Sequence, residues 1–403
     1  MPRSLISLAD ARAAVLDTVS SPLDAEEVAL TSALERVLAE DVVAPHDLPP
    51  FDNSAMDGFA VVAGPPGNLE VVGESRAGRP AKQAVGRGQA IRISTGAAVP
   101  DGADAIVPVE RVAETDGSVT VPDTAPGANL RRAGEDVRAG ETVLSAGAEL
   151  GPAELGVLAS LGRASISVRT RPRVALIVTG DELVGPGRRL GPGQIHDSNA
   201  VALAAQAMRA GAVVVSSKRV ADNLMATIEA VESALRGSDL VCVAGGVSVG
   251  PHDHVKAALA ELDVRQRFWG IAIKPGKPTW FGAADGTLVI GLPGNPVSAM
   301  VIFHLLARPA LRALAGADPP AARTTAILES TVRRNRAREQ ALRCRLREAG
   351  DGWHVEPAEA QGSHILTSML GAGALALIPP GEGEVAAGER VEIELVPGGT
   401  LSG

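Results

Sequence analysis

The chain has 403 residues, 21% of them charged, with a formal net charge of −9 and a pI near 5.4; this length predicts two to four domains, each with its own core. The acidic balance argues against non-specific nucleic-acid binding, which needs a basic field, and the absence of tyrosine with 2% aromatics removes stacking platforms for bases. Cys242 and Cys344 stand far apart without a C-x-x-C spacing, which points away from a disulfide framework or structural zinc and toward a reducing compartment.

In chain order, Ser7-Leu8-Ala9-Asp10 opens a helix that lacks the apolar stretch of a signal peptide, and a second helix is predicted over 30–38 with Thr31 near its start. From about 43 to 128, short Val/Ile runs at 59–62, 69–72, 90–93, 105–107 and Ser118–Val121, punctuated by Gly, Pro and Asp, predict a small β domain. Residues 153–161 are helical again, so the β domain is expected to be an insertion in a discontinuous helical layer. Between 171 and 316 strands at 174–178, 213–215 and 240–243 alternate with helices at 198–211 and Leu224–Leu235, the pattern of a parallel sheet covered on both faces. A helix from Pro296 to about Leu314 follows, and short strands at 375–378 and 391–395 among Gly-rich turns predict a second β domain. No run of 18 apolar residues occurs, so no membrane span is expected. The predicted domains are 1–42 with 128–170, 43–127, 171–318 and 319–403.

The segment Ile273-Lys274-Pro275-Gly276-Lys277-Pro278 carries two of only five lysines, while arginine supplies the other 33 of the 38 basic residues. A compact ammonium with three rotatable donors suits a tetrahedral oxyanion, whereas the flat fork of arginine suits a carboxylate, so phosphate or a similar oxoanion is the expected ligand. Gly245-Gly246-Val247-Ser248-Val249-Gly250 follows a buried-type strand and is a second candidate anion cradle, with tight turn geometry as the simpler explanation. Asp181, Glu182, Asp222 and Asp253 fall at predicted loop positions; beside an anion they make sense with a bridging Mg²⁺, although Asp181 and Asp222 also suit helix caps. His252 and His254 lack the spacing of a helical zinc pair. The loop Asp52 to Gly58 is dense in hydrogen-bonding side chains, and Ser94-Thr95-Gly96 is a second polar loop in the same domain.

Taken in order, the segments Phe51-Asp-Asn-Ser-Ala-Met-Asp-Gly58, Ile93-Ser-Thr-Gly96, Leu130-Arg-Arg-Ala-Gly-Glu-Asp136, Thr179-Gly-Asp-Glu-Leu183, Gly245-Gly-Val-Ser-Val-Gly250, Lys274-Pro-Gly-Lys-Pro278, Gly291-Leu-Pro-Gly-Asn-Pro-Val-Ser298 and Gln361-Gly-Ser-His364 resemble the molybdopterin molybdenumtransferase family, the molybdenum insertases that also form the C-terminal part of gephyrin. The resemblance runs through nearly the whole chain. It implies a multidomain α/β and β protein: a helical layer, an inserted small β domain, a molybdopterin-binding-type α/β domain with a parallel sheet, and a C-terminal β barrel. It also implies a cytoplasmic homodimer with active sites shared between subunits, and transfer of molybdenum from molybdate to adenylylated molybdopterin with Mg²⁺ assistance and release of AMP.

Carried over by position, Lys274, Lys277, Ser363 and Arg343 would hold the oxoanion, and Gly245, Gly246 and Ser248 the pterin phosphate end. Asp181, Glu182, Asp222 and Asp253 would organise metal, pterin or attacking groups. Asp57, Thr95 and Asp136 would complete the site from the partner subunit, and Pro293 and Pro296 would shape the Gly294-Asn295 loop. Phe59, His196 and His254 stand where the family usually has tyrosine, Asp222-Asn223 replaces paired aspartates, and Gln340-Ala341 replaces an acidic-aromatic pair near Arg343. The upstream adenylyltransferase and acceptor molybdenum enzymes are the implied protein partners. A gephyrin-like scaffold is the alternative; lost chemistry would have eroded Lys274, Lys277 or Asp57. An adenylyltransferase sharing the α/β fold would need neither flanking β domain.

Overall fold

A computed structural model describes residues 5–247, 254–317 and 324–398. The apolar strand Arg173–Thr179 lies inside a six-stranded sheet in the order Val213–Val220, Arg173–Thr179, Leu240–Ala244, Thr287–Leu292, Trp280–Ala284, Arg265–Trp269. The first four strands are parallel. The strands read from the sequence as parallel are so, while Trp280–Ala284 runs against both of its neighbours, so the sheet as a whole is mixed. The cause is local: Asp285 and Gly286 have φ of 47° and 84°, the left-handed pair of a two-residue hairpin, and the chain doubles back instead of crossing over.

Helices cover both faces. Asn199–Arg209 and the helix Pro296–Leu314 pack with Leu176, Val178 and Ile290 on one, while Leu224–Leu235 and Val255–Glu261 pack with Ile177, Val241 and Val289 on the other. Pro296–Leu314 is long and apolar enough to cross a membrane, at a mean hydropathy of 1.4 over its most apolar window; here 78% of that window is buried inside the fold. Pro309 has no N–H to give the Leu305 carbonyl four residues back, and the helix widens into a π turn over Phe303–Ala307. Arg12 Nε donates to that carbonyl at 3.2 Å, and Arg12 Nη2 pairs with Glu394 at 2.6 Å.

Arg12 belongs to the first helix, Leu8–Leu16, whose N-cap Ser7 accepts from the Asp10 N–H at 3.0 Å as the sequence predicts. Leu8, Ala11 and Val15 bury against the α/β core. The helix expected over 30–38 does not form. One 3-10 turn, Leu30–Ser32, is followed by Glu35 at φ 59°, and the backbone donors of Glu35, Leu38 and Ala39 go to Leu150, Ala148 and Ser167. These tertiary partners override local helix propensity. The layer flanking the insertion is accordingly built mostly of strand pairs, Ala25–Ala29 with Ser165–Arg169 and Val42–Val43 with Thr142–Leu144, beside the helix Pro152–Ser160.

Within the insertion, six strands assemble in the order Ala105–Pro108, Gly58–Val61, Gln89–Ile93, Gly67–Ser75, Ser118–Val121, Ala113–Thr115, over a core of Phe59, Val61, Val107 and Val119. At the C-terminal end, Glu339–Ala349, Gly352–Pro357, Thr324–Leu328, Arg390–Leu395 and Ala374–Ile378 pair in a closed ring of five, because Ala374–Ile378 returns to Glu339–Ala349. Closure leaves no free edge within the ring.

Two outcomes are expected. A Cβ on Gly58 would overlap the Val107 carbonyl oxygen of the adjacent strand, so Gly58→Ala should lower stability by about 1–3 kcal/mol in denaturant titration. Burial pushes the Cys242 and Cys344 thiols up to about 12, so neither should react with a thiol probe at pH 8 until the protein is unfolded.

Candidate active site

The lysine turn is a rigid mount. Pro275, Gly276 and Thr279 are buried, and only the Lys274 and Lys277 side chains are exposed. Thr279 Oγ1 donates to Gly276 O at 2.7 Å, and the Lys277 carbonyl accepts from Ile271 N and Thr279 N at 3.0 and 2.9 Å. A Cβ on Gly276 would collide with Ile302 of the buried helix, so the turn sits directly on the α/β core. The strand Ile273–Lys274 also extends the barrel, pairing in parallel with Glu339–Gln340. Neither ammonium has a protein partner among the described residues.

Beside the same buried helix, Pro293 is buried while Gly294 and Asn295 are exposed, and Pro296 stands at the first helical position, where its fixed φ and missing N–H cost nothing. Asn199 Nδ2 donates to Gly294 O at 2.8 Å, and Asn295 Nδ2 donates to Ser363 Oγ at 3.0 Å. The Ser363 carbonyl accepts from Val297 N at 3.3 Å. Ser363 Oγ thus accepts from the α/β domain and keeps its own proton to give to a ligand.

Arg343 does not stand with these donors. It is 1% exposed; Nε donates to Ser368 Oγ at 3.2 Å and Nη2 to the carbonyls of Ala360 and Gly362 at 3.2 and 3.3 Å. Burial lowers its pKa. The residue expected to bind oxoanion directly instead latches the loop that presents Ser363, because two half-buried carbonyls of that loop and the Ser368 hydroxyl take its donors.

Gly245 and Gly246 have φ of 93° and 64°. A Cβ on Gly245 would come within 2.9 Å of the Thr179 carbonyl oxygen, and one on Gly246 within 2.6 Å of Val255 Cγ2. Only glycine closes this loop against the neighbouring strand and helix. The Thr179 hydroxyl, buried beside both glycines, has no hydrogen-bond partner among the described residues. Ser248, His252 and Asp253 lie outside the described residues. Asp181 and Glu182 are exposed after Arg173–Thr179, and Asp181 Oδ1 accepts from the Asp222 N–H at 3.1 Å. Neither Asp181 nor Asp222 is a helix cap: Asn223 caps Leu224–Leu235, accepting from Ala226 N at 3.2 Å. Among the described residues no three His, Cys, Asp or Glu side chains converge as a metal cluster.

A second set of loops gathers in the inserted domain. Asp57 Oδ1 accepts from Thr95 N at 2.7 Å and Thr95 Oγ1 at 3.1 Å. Asn53–Ser54 pairs with Leu130–Arg131, and Asp52 ties the two loops by accepting from Ala133 N at 2.8 Å and Arg132 Nη1 at 2.5 Å. The Ala133 N–H first, and the Arg132 guanidinium after it, hold the Asp52 carboxyl below the usual carboxylate range. Asp136 is exposed at the end of this loop, its N–H donating to Leu48 O at 3.0 Å. Among the described residues, no hydrogen bond or ion pair within the chain joins Asp57, Thr95 and Asp136 to the lysine turn.

Of the tyrosine-type positions, Phe59 is fully buried with the Arg92 guanidinium 4.9 Å from its ring centroid, and His196 lies 2.9 Å from the Arg188 carbonyl through Nε2. His254 precedes Val255–Glu261 without a side-chain capping bond. Sequence reasoning passed over Asp52, Thr179 and Asn199 as organisers. The only signal was a polar residue at an element end, which turns and caps explain equally well.

Family models match nearly the whole described chain: the MoeA N-terminal region (domain I and II) over residues 6–162, a probable molybdopterin binding domain over 175–313, and the MoeA C-terminal region (domain IV) over 325–396. A molybdopterin molybdenumtransferase of Haemophilus influenzae is 37% identical over 399 residues, covering 97% of this chain and 98% of that protein. Molybdopterin molybdenumtransferase 2 of Mycobacterium tuberculosis is 42% identical over 385 residues, covering 91% and 94%. The crystal structure of a molybdopterin biosynthesis moeA protein from Pyrococcus horikoshii superposes with a TM-score of 0.84 at 31% identity, over 98% of this chain and 100% of that one. With this coverage end to end, the chain belongs to the molybdopterin molybdenumtransferase family.

Proposed function

We propose that the chain transfers molybdenum from molybdate to adenylylated molybdopterin and releases AMP, in the cytoplasm, as the step of molybdenum cofactor biosynthesis that follows adenylylation. The observation that carries this reading is the lysine turn near Ser363: two exposed ammonium groups without a partner among the described residues and a hydroxyl that accepts from Asn295, held on buried backbone in an acidic protein. A tetrahedral dianion would draw on each charge-assisted bond for about 1.5–3 kcal/mol.

In this proposal Lys274, Lys277 and Ser363 hold molybdate, with Arg343 acting through the Ser363 loop. Gly245, Gly246 and Ser248 receive the phosphate end of the pterin, and Pro293 to Pro296 form the wall beside it. Asp181 and Asp222, joined through one hydrogen bond, would hold Mg²⁺ together with Asp253, and Glu182 orders the attacking groups. Asp181, exposed, and Asp222, half-buried and adjacent through that hydrogen bond, would be enough for this ion, which takes one or two carboxylates together with water and phosphate oxygens. When bound it would neutralise charge on the phosphoanhydride.

Asp57, Thr95 and Asp136 serve the site of a second subunit. The absence of contact between the two loop sets within the described chain supports a homodimer in which each site combines the α/β domain of one copy with the inserted domain of the other. The domain division at 1–42 with 128–170, 43–127, 171–318 and 319–403 belongs to the same proposal. The upstream adenylyltransferase and the acceptor molybdenum enzymes are its protein partners, and the scaffold alternative has no observation in its favour.

Lys274→Ala and Asp57→Ala should each abolish molybdate-dependent AMP release while leaving the melting curve unchanged. Refolding the two inactive variants together should restore about a quarter of wild-type activity, because half the dimers then own one intact site. No recovery would sink the shared site, and full activity in both single variants would sink the assignment of the residues. Arg343→Met should raise KM for molybdate and lower stability by about 1–3 kcal/mol, since it strands two loop carbonyls; a variant with unchanged KM would remove Arg343 from the positioning of Ser363.

A further inference from the structure

Where the barrel strand Glu339–Ala349 loses its neighbour, a side chain takes over the ladder. The strand Gly352–Pro357 pairs with it antiparallel as far as Cys344 opposite Pro357, which sets Arg343 opposite Ala358. The Ala358 N–H donates to Arg343 O at 2.8 Å, one half of a hydrogen-bonded pair. The return bond runs through Gln361 instead. Arg343 N–H donates to Gln361 Oε1 at 3.2 Å, while Gln361 Nε2 donates to Ala358 O at 2.9 Å and to Arg343 O at 3.0 Å. The half-buried amide thus fills the missing rung, and with its oxygen facing a donor and its N–H groups facing carbonyls only one orientation satisfies every bond. The Arg343 guanidinium takes the carbonyls on either side, Ala360 O and Gly362 O. Residues 360, 361 and 362 are therefore tied one after another to Arg343, and Ser363 follows, its hydroxyl accepting from Asn295 and its carbonyl from Val297 N.

We propose that Gln361 is a positioning residue for the oxoanion: by splicing its amide between Arg343 and Ala358 it turns the chain out of the barrel at the point that places the Ser363 hydroxyl, and so sets the affinity for molybdate without touching it. This deepens the functional reading given above and rests on it. A chain that leaves a strand must satisfy the last rung, and a water molecule could do so for Arg343 N–H and Ala358 O. Water would not bind the departing loop to the strand; an amide carried by the loop itself does both. A glutamate would offer the acceptor without the donors, and methionine neither. Because the splice lies two residues before Ser363, its loss falls on that hydroxyl and on the bond to Asn295. Lys274 and Lys277, whose turn sits on Ile302, keep their places. One donor to the anion is weakened while two remain, so binding suffers more than turnover.

The test is a double-mutant cycle on the full-length protein, read as KM for molybdate and kcat in AMP release. Ser363→Ala measures the hydroxyl and should raise KM about tenfold, the loss of one hydrogen bond to a charged ligand. Gln361→Met, of similar length without the amide, should raise KM by a comparable factor with kcat within about twofold of wild type, which also shows the fold intact. Gln361→Glu, which keeps the acceptor and loses both donors, should do the same. In the Ser363→Ala background neither change should raise KM further, because the residue acts through that hydroxyl alone. An unchanged KM in both Gln361 variants, or the same factor appearing again on top of Ser363→Ala, would overturn the proposal and leave the molybdate site standing. A wild type without molybdate-dependent AMP release, or an unchanged KM in Ser363→Ala, would overturn the molybdate reading and this proposal with it.

Discussion

A single backbone carbonyl shows how the domains of this protein are held in register. Pro309 deprives Leu305 O of its helical donor inside the most buried helix of the molecule, and an orphaned buried carbonyl costs about 1–3 kcal/mol. Arg12 supplies the missing donor from the first helix and spends its other arm on Glu394 of the last barrel strand. The N-terminal helix, the α/β domain and the barrel therefore meet at one guanidinium. Pro296 to Leu314 begins at the Asn295 loop, supports the lysine turn through Ile302, and meets the barrel beside His304.

The proposed anion site, in a chain of net charge −9, would need its few productive cations to be placed, since the overall field offers no help. The lysine turn would meet that demand with a buried backbone and two exposed lysine side chains. Ser363 meets it differently. Its hydroxyl is oriented by Asn295 from one domain, and its loop is latched by Arg343 from the barrel. Preorganisation of this kind matters because donors that are already aimed lose little entropy when the ligand arrives.

The departures at tyrosine-type positions have modest structural consequences. Phe59 fills the core of the inserted domain beneath Arg92, and His196 meets the Arg188 carbonyl through a ring nitrogen, so packing and polar contact are both retained without a phenol. Asn223 in place of an aspartate is also explained, because its side chain caps the following helix and leaves Asp222 free of that task.

Much of this was legible in the sequence for physical reasons. Apolar runs such as Arg173–Thr179 and Leu240–Ala244 read as buried strands and Ser7 as a cap, and both form; the two lysines on a Pro/Gly turn are legible as a candidate oxoanion site. The Asp285-Gly286 hairpin was passed over in the sequence reading, although this dipeptide favours such a turn. The fate of residues 25–39 was not legible, because their backbone partners lie more than a hundred residues away, near 148–169, and local propensity carries no information about them. The role of Arg343 was equally hidden: an arginine reads the same on a strand whether it faces a substrate or three acceptors of a neighbouring loop. The sequence by itself determined which residues are candidates for the chemistry; only the tertiary structure decided which of them reach solvent and which are consumed in holding the others, since that depends on partners brought together by the fold rather than by the chain.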